Sequence, residues 1–167
     1  KYLSTQAKDD HLYFIHHEIG YNYRLTNLQA ALGLAQLEQL ESFIDRKREN
    51  YEIYRAEISK IKGMSLLSFR TKIRPNYWFY SLYLDHSSDI RDELIRYLDD
   101  HAIQTRPVWG LINEQKPYLN NTAYQIQKAY DYWQKVINLP CSSNLTKKEI
   151  RKVVTCLHKY VAENIAY

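Results

Sequence analysis

Tyr21-Asn22-Tyr23-Arg24 brings together residue types suited to gripping an anion. An amide and a guanidinium stand just ahead of a long, unbroken helical pattern. Thr26 and Gln29 have the spacing of a capping box, in which a hydroxyl and a side-chain amide each satisfy an orphan backbone N–H. The helix is therefore expected to begin at about Asn27. A helix N-terminus gathers free N–H groups and the positive end of the helix dipole, so a phosphate is the chemistry this loop would serve. The same residues also suit an ordinary polar helix entrance with aromatic packing.

A second candidate is Thr105-Arg106-Pro107-Val108-Trp109, leading into Asn113, Gln115 and Tyr118. An Arg at a strand end followed by an aromatic, amide-rich loop could hold a polar ligand, since loops at strand ends often carry function. A structured crossover with a half-buried Trp is the alternative. Asn76–Tyr80 reads as part of an ordinary alternating strand. His11, His16 and His17 raise the question of a metal. His17-Glu18 begins like H-E-x-x-H, but Tyr21 stands where the second His must be, and no metal site is expected. There is no G-x-S-x-G, P-loop or G-x-G-x-x-G, and no nucleophile–base pair at a recognisable spacing.

The elements that must position these residues are legible from periodicity. Residues 1–19 read as an irregular arm with a short strand at Tyr13–Ile15. From Asn27 to about Ile61 the pattern is one helix of about 50 Å. Leu25, Leu28, Leu32 and Ala35 make one apolar row. Leu37, Leu40, Ile44, Tyr51, Tyr54, Ile58 and Ile61 make another, interrupted by Lys47. A shift near Asp45 from small apolar residues to charged, Tyr-rich ones suggests one helix serving two bodies. Gly63 is the expected stop. Strands follow at Met64–Phe69 and Asn76–Asp85. Ser87 or Ser88 would cap a helix ending near His101, and a third strand spans Ile103–Val108. A capping box at Thr122–Gln125 would open a helix carrying Ile126, Tyr130, Trp133 and Ile137, with an extended piece at Ile137–Pro140. Another at Thr146–Glu149 would open the last helix, with Ile150, Val153, Leu157 and Val161 inward. Strands alternating with helices predict an α+β domain, a mixed or antiparallel sheet with helices on one face.

Composition narrows the class. The 167 residues include 16 Tyr but only 4 Gly and 4 Pro, which argues for long regular elements. The net charge of +4 is spread over alternating acidic and basic residues, so no basic stripe points to nucleic acid. No apolar run approaches the length of a membrane helix, and a cytoplasmic protein is expected. Cys141 and Cys156 read as two reduced thiols. The chain begins at Lys1 rather than Met and reads as an excerpt of a longer protein.

HEIGYNYRLTNLQAALGLAQLEQL, from His17 to Leu40, resembles the signature that follows the cofactor lysine in the DegT/DnrJ-type sugar aminotransferases. Further matches come in order: Tyr77-Trp78, TRPVW at Thr105–Trp109, QKPY at Gln115–Tyr118, and NLPCSSNLTKKEI at Asn138–Ile150. The wording of the arm is most similar to the branch making 4-amino-4,6-dideoxy sugars for nonulosonic acids of the legionaminic type. The resemblance implies a type I aminotransferase fold, with residues 1–45 ending the large domain and beginning a bridging helix, and 46–167 forming the small C-terminal domain. It implies pyridoxal phosphate as cofactor, glutamate as amino donor, a 4-keto-6-deoxy nucleotide sugar as acceptor, and a homodimer. Asn22, with Arg24 as its companion, would reach the cofactor phosphate of the neighbouring subunit. Tyr21, His17, Arg106, Trp109, Asn113 and Tyr118 would border the nucleotide sugar, although many relatives carry His at the position of Asn113. The Schiff-base lysine would lie upstream of Lys1, leaving this excerpt inactive by itself. A non-catalytic dimerisation or regulatory module of the same fold is the competing reading.

Overall fold

The computed structural model describes residues 2–8, 15–85 and 88–165. It divides into two compact units, Lys1–Glu41 and Ser42–Tyr167. Helix α1 runs over Asn27–Ile58 and contributes to both.

In the first unit, the arm folds back on the segment before α1. Thr5 bridges Asn22 and Lys8 bridges His16, both antiparallel. The Tyr21 amide donates to the Leu3 carbonyl at 2.7 Å, and the Gln6 amide donates to the Tyr21 carbonyl at 3.0 Å. The approach is tight enough to require glycine at position 20, where a Cβ would lie 2.1 Å from the Ala7 nitrogen. Most of the strand expected at Tyr13–Ile15 lies outside the described residues, as does His11. The apolar residues of α1 in this unit face outward: Leu28 is 82% and Leu37 65% exposed.

The second unit is built on a four-stranded antiparallel sheet of β1 (Met64–Leu66), β2 (Tyr80–Leu84), β3 (Arg106–Pro107) and β4 (Val136–Leu139). Their spatial order is β1-β2-β4-β3, with Met64 opposite Leu84, Tyr80 opposite Leu139, and Arg106 opposite Asn138. Helices α2 (Ser88–Asp100), α3 (Gln127–Lys135) and α4 (Lys147–Asn164) complete the α+β architecture. Along β2 the pleat sends Tyr80, Leu82 and Leu84 into the core. There Tyr80 meets Tyr54 of α1 at 5.6 Å between ring centroids, and its hydroxyl donates to the Lys47 carbonyl at 2.7 Å. On the opposite face Tyr83 packs edge-on against Tyr132 of α3 and donates to Asp131 at 3.2 Å. Helices therefore cover both faces, not the single face that alternation suggested. The completely buried run of β4 agrees with its being covered on both sides.

Element boundaries moved for identifiable reasons. The strand expected over Asn76–Asp85 starts at Tyr80, because Tyr77 takes a left-handed φ of 53° and the Asn76 side chain accepts from the Trp78 amide in a turn. The strand from Met64 stops at Leu66, and the Tyr51 hydroxyl takes the Leu67 carbonyl. The third strand shrinks to two residues, since Ala102 turns left-handed and the Ile103 amide closes back onto the Leu98 carbonyl. The α-helical ladder of α1 ends at Ile58, and tighter bonds carry the turn to Ile61 before Gly63 reverses the chain at φ 74°.

Two capping boxes form as expected. At α1 the Thr26 amide donates to Gln29 Oε1 at 2.9 Å, and the Gln29 amide donates to Thr26 Oγ1 at 3.3 Å. At α4 the Thr146–Glu149 pair makes the same exchange, and Ile150, Val153, Leu157 and Val161 are buried below it. The box at Thr122–Gln125 does not form. Gln125 adopts φ 50° and donates to the neighbouring Tyr124 hydroxyl, so α3 begins at Gln127 without a side-chain cap. Ile137, which read both as the last apolar position of that helix and as the start of the extended piece Ile137–Pro140, belongs to β4. Both cysteine thiols are free. Among the described residues, no helix is long and apolar enough to cross a membrane.

Candidate functional site

The first site lies at the entrance to α1. Asn22, Tyr23 and Arg24, with Leu25, Thr26 and Gln29, surround an open cavity of about 390 Å³. The box at Thr26–Gln29 consumes two of the backbone N–H groups at the helix start. The amides of Asn27 and Leu28, in the first turn, lie too early to bond within the helix. Asn22 is held at its backbone by the bridge to Thr5, leaving its side chain exposed. Tyr21 and Tyr23 stack at 5.2 Å with planes 7° apart, stiffening the loop around it. Among the described residues, Arg24 has no acidic partner, so its guanidinium is a donor fork without a counter-ion. A guanidinium, an amide and a helix N-terminus form a donor set that fits a phosphate. His17 is exposed and does not line this cavity. The His16 ring nitrogen Nδ1 lies 2.7 Å from the Gln6 carbonyl, bracing the arm.

The second site lies at the ends of β3 and β4. A cavity of about 500 Å³ is bordered by Phe79, Thr105, Arg106, Trp109 and Cys141, among others. Phe79 and Trp109 meet edge-on at 5.3 Å, and Trp78 joins them at 6.1 Å from Trp109. Trp109 remains 68% exposed, offering a face on which a planar or sugar ring could stack. Arg106 is exposed and has no acidic partner among the described residues. The Thr105 hydroxyl is buried and makes no hydrogen bond among the described residues. Cys141 borders the cavity through its position just beyond β4, where the Lys47 ammonium donates to its carbonyl and to that of Trp78.

The structure thus places Arg106 and Trp109 at one cavity but leaves Asn113 and Tyr118 outside it. Those two lie on the single-turn helices Ile112–Glu114 and Lys116–Tyr118. The Asn113 amide is engaged within the chain, donating to the Tyr130 hydroxyl at 3.1 Å. Phe79 and Cys141 were not expected at this cavity. Phe79 was hidden inside what read as a regular strand, and Lys47, which secures both strand ends, showed only as a flaw in an apolar row. Among the described residues, no group of three or more His, Cys, Asp and Glu side chains is arranged to hold a metal.

This α+β architecture with a long leading helix is shared with solved aminotransferases. TlmJ from Streptoalloteichus hindustanus superposes with a TM-score of 0.86 at 20% identity, over 99% of this chain and 44% of that one. Spr1654 from Streptococcus pneumoniae, in its PLP-form, superposes with a TM-score of 0.81 at 20% identity, over 99% of this chain and 43% of that one. In sequence, the chain is 34% identical to the GDP-perosamine synthase of Escherichia coli O157:H7 over 154 residues, which cover 92% of this chain and 41% of the relative. Residues 2–158 match the DegT/DnrJ/EryC1/StrS aminotransferase family, and the chain belongs to that family. It spans about two fifths of the length of this curated relative.

Proposed function

We propose that this chain is the C-terminal part of a pyridoxal phosphate-dependent aminotransferase that moves an amino group from glutamate to a 4-keto-6-deoxy nucleotide sugar. The observation that carries this reading is the phosphate-fitting donor set of Asn22, Arg24 and the α1 N-terminus around one cavity. Membership of the aminotransferase family and the match to a nucleotide-sugar enzyme support it. When bound, the cofactor supplies an electron sink for charge developing at the carbon that exchanges its amine. Arg24 and Asn22 hold its phosphate by charge-assisted and amide hydrogen bonds, and the positive end of α1 adds to that hold.

In this reading the phosphate belongs to the neighbouring subunit of a homodimer, so the site is complete only in paired full-length chains. The Schiff-base lysine lies in the part of the protein preceding residues 1–45, which end the large domain, and 46–167 form the small domain. Arg106 pairs with the diphosphate of the nucleotide sugar while Trp109 stacks on a ring of the same ligand. Tyr118 borders the same ligand from the segment after Trp109. The product is an amino-dideoxy sugar for polysaccharide or nonulosonic acid assembly in the cytoplasm.

The test is to supply the complete protein with pyridoxal phosphate, glutamate and a panel of 4-keto-6-deoxy nucleotide sugars. Formation of an aminated nucleotide sugar together with 2-oxoglutarate is expected. Absence of any aminated product across the panel, from protein shown to bind cofactor, contradicts the substrate assignment.

A further inference from the structure

Between β3 and α3 the chain from Leu111 to Asn121 is bonded largely to itself. The Glu114 amide donates to the Leu111 carbonyl, Gln115 to Ile112, Tyr118 to Gln115 and Asn121 to Tyr118, at 2.8–3.1 Å. Bonds of this span fix the shape of the segment but not its place on the domain. Packing adds little, because neither single-turn helix has a buried residue and Ile112 is 70% exposed.

Among the described residues, the hydrogen bonds leaving this segment converge on one atom, the Tyr130 hydroxyl. Asn113 Nδ2 donates to it at 3.1 Å, and it is hydrogen-bonded to the Glu114 side chain. A phenol has one proton to give and lone pairs to receive, so this hydroxyl accepts from the amide while donating to the carboxylate. The Glu114 bond raises the Tyr130 pKa, which keeps the donor proton in place.

Tyr130 is a rigid post for such a tether. Its helix is fixed to the sheet through the Tyr83 hydroxyl of β2, which donates to Asp131 at 3.2 Å and accepts from Lys135 at 3.4 Å. It is fixed to α2 by Arg91, whose buried guanidinium donates to the Trp133 carbonyl and lies over the Trp133 ring.

We propose that Tyr130 is a positioning residue for substrate recognition, latching the segment that carries Tyr118, and that Asn113 acts through it. This rests on the reading that the segment after Trp109 faces the nucleotide sugar. Asn113 then serves as a strut between segment and helix, and its contribution to substrate affinity passes through the Tyr130 hydroxyl.

The test uses the complete protein with Tyr130→Phe, Asn113→Ala and the double variant, following steady-state kinetics and amide hydrogen exchange of residues 111–121. Tyr130→Phe is expected to raise KM for the nucleotide sugar roughly tenfold, with a smaller change in kcat and none in KM for glutamate. Adding Asn113→Ala to Tyr130→Phe should change KM by less than about twofold, because the two act as one unit. Exchange at Gln115 and Tyr118 should quicken in Tyr130→Phe. Fully additive kinetic effects would assign Asn113 a contact of its own and overturn the strut. Should the wild-type protein aminate no keto-sugar, the functional reading falls and the exchange arm alone judges the latch. Unchanged protection in Tyr130→Phe overturns it in either case.

Discussion

Removing one oxygen atom from Tyr54 and, separately, from Tyr80 should move stability in opposite directions. Both side chains are completely buried, with their rings 5.6 Å apart in the same core. Burial raises the pKa of both phenols, so each enters the core as a neutral hydroxyl. Their partners differ. Tyr80 donates to the Lys47 carbonyl at 2.7 Å, whereas the Tyr54 hydroxyl has no hydrogen-bond partner among the described residues. A buried, unsatisfied polar group carries a penalty of about 1–3 kcal/mol, while a satisfied hydrogen bond contributes about 1 kcal/mol net. Tyr54→Phe relieves the penalty but leaves a small void, for a net gain of roughly 1 kcal/mol. Tyr80→Phe loses its bond, at a cost of about 1 kcal/mol. Urea unfolding at neutral pH should therefore separate the two midpoints by about 1 M, taking m as about 2 kcal/mol per M. Destabilisation by both variants to a similar degree would refute the assignment of Tyr54 as an unsatisfied donor.

Two further perturbations follow from local geometry. Thr146→Ala should cost about 1 kcal/mol in urea unfolding by removing the cap of α4. The Thr146 hydroxyl and amide hold the Glu149 carboxyl below its ordinary value of 4.5, so this contribution is complete above that pH and is lost as pH falls through the lower folded value. The gap between wild type and Thr146→Ala should accordingly narrow in acid. Gly20→Ala places a Cβ 2.1 Å from the Ala7 nitrogen, so the arm must leave its position. Hydrogen exchange at the Tyr21 and Tyr23 amides, now bonded to Leu3 and Ser4, should rise while α4 stays protected.

What the sequence revealed depended on how local the determinant was. The boxes at Thr26–Gln29 and Thr146–Glu149 each need only four consecutive residues, and both formed. Thr122–Gln125 has the same lettering, but the left-handed turn at Gln125 overrides it. The anion-friendly loop ahead of α1 was legible because its donors adjoin in the chain. The cavity beside Trp109 was only half legible. Phe79, Arg106 and Cys141 meet there because β4 pairs with β2 on one side and β3 on the other, a register set by the folded sheet. The role of Lys47 stayed hidden for the same reason, since its carbonyl partners lie 31 and 94 residues away.

If the entrance of α1 holds a cofactor phosphate, as proposed above, the affinity of the complete protein for pyridoxal phosphate must depend on Arg24. Arg24→Gln keeps a polar side chain but removes the charge. Loss of one charge-assisted hydrogen bond, about 1.5–3 kcal/mol, predicts a Kd roughly 10–100-fold weaker by equilibrium dialysis. A Kd unchanged in Arg24→Gln, in protein that remains folded, would show that this entrance does not hold the phosphate.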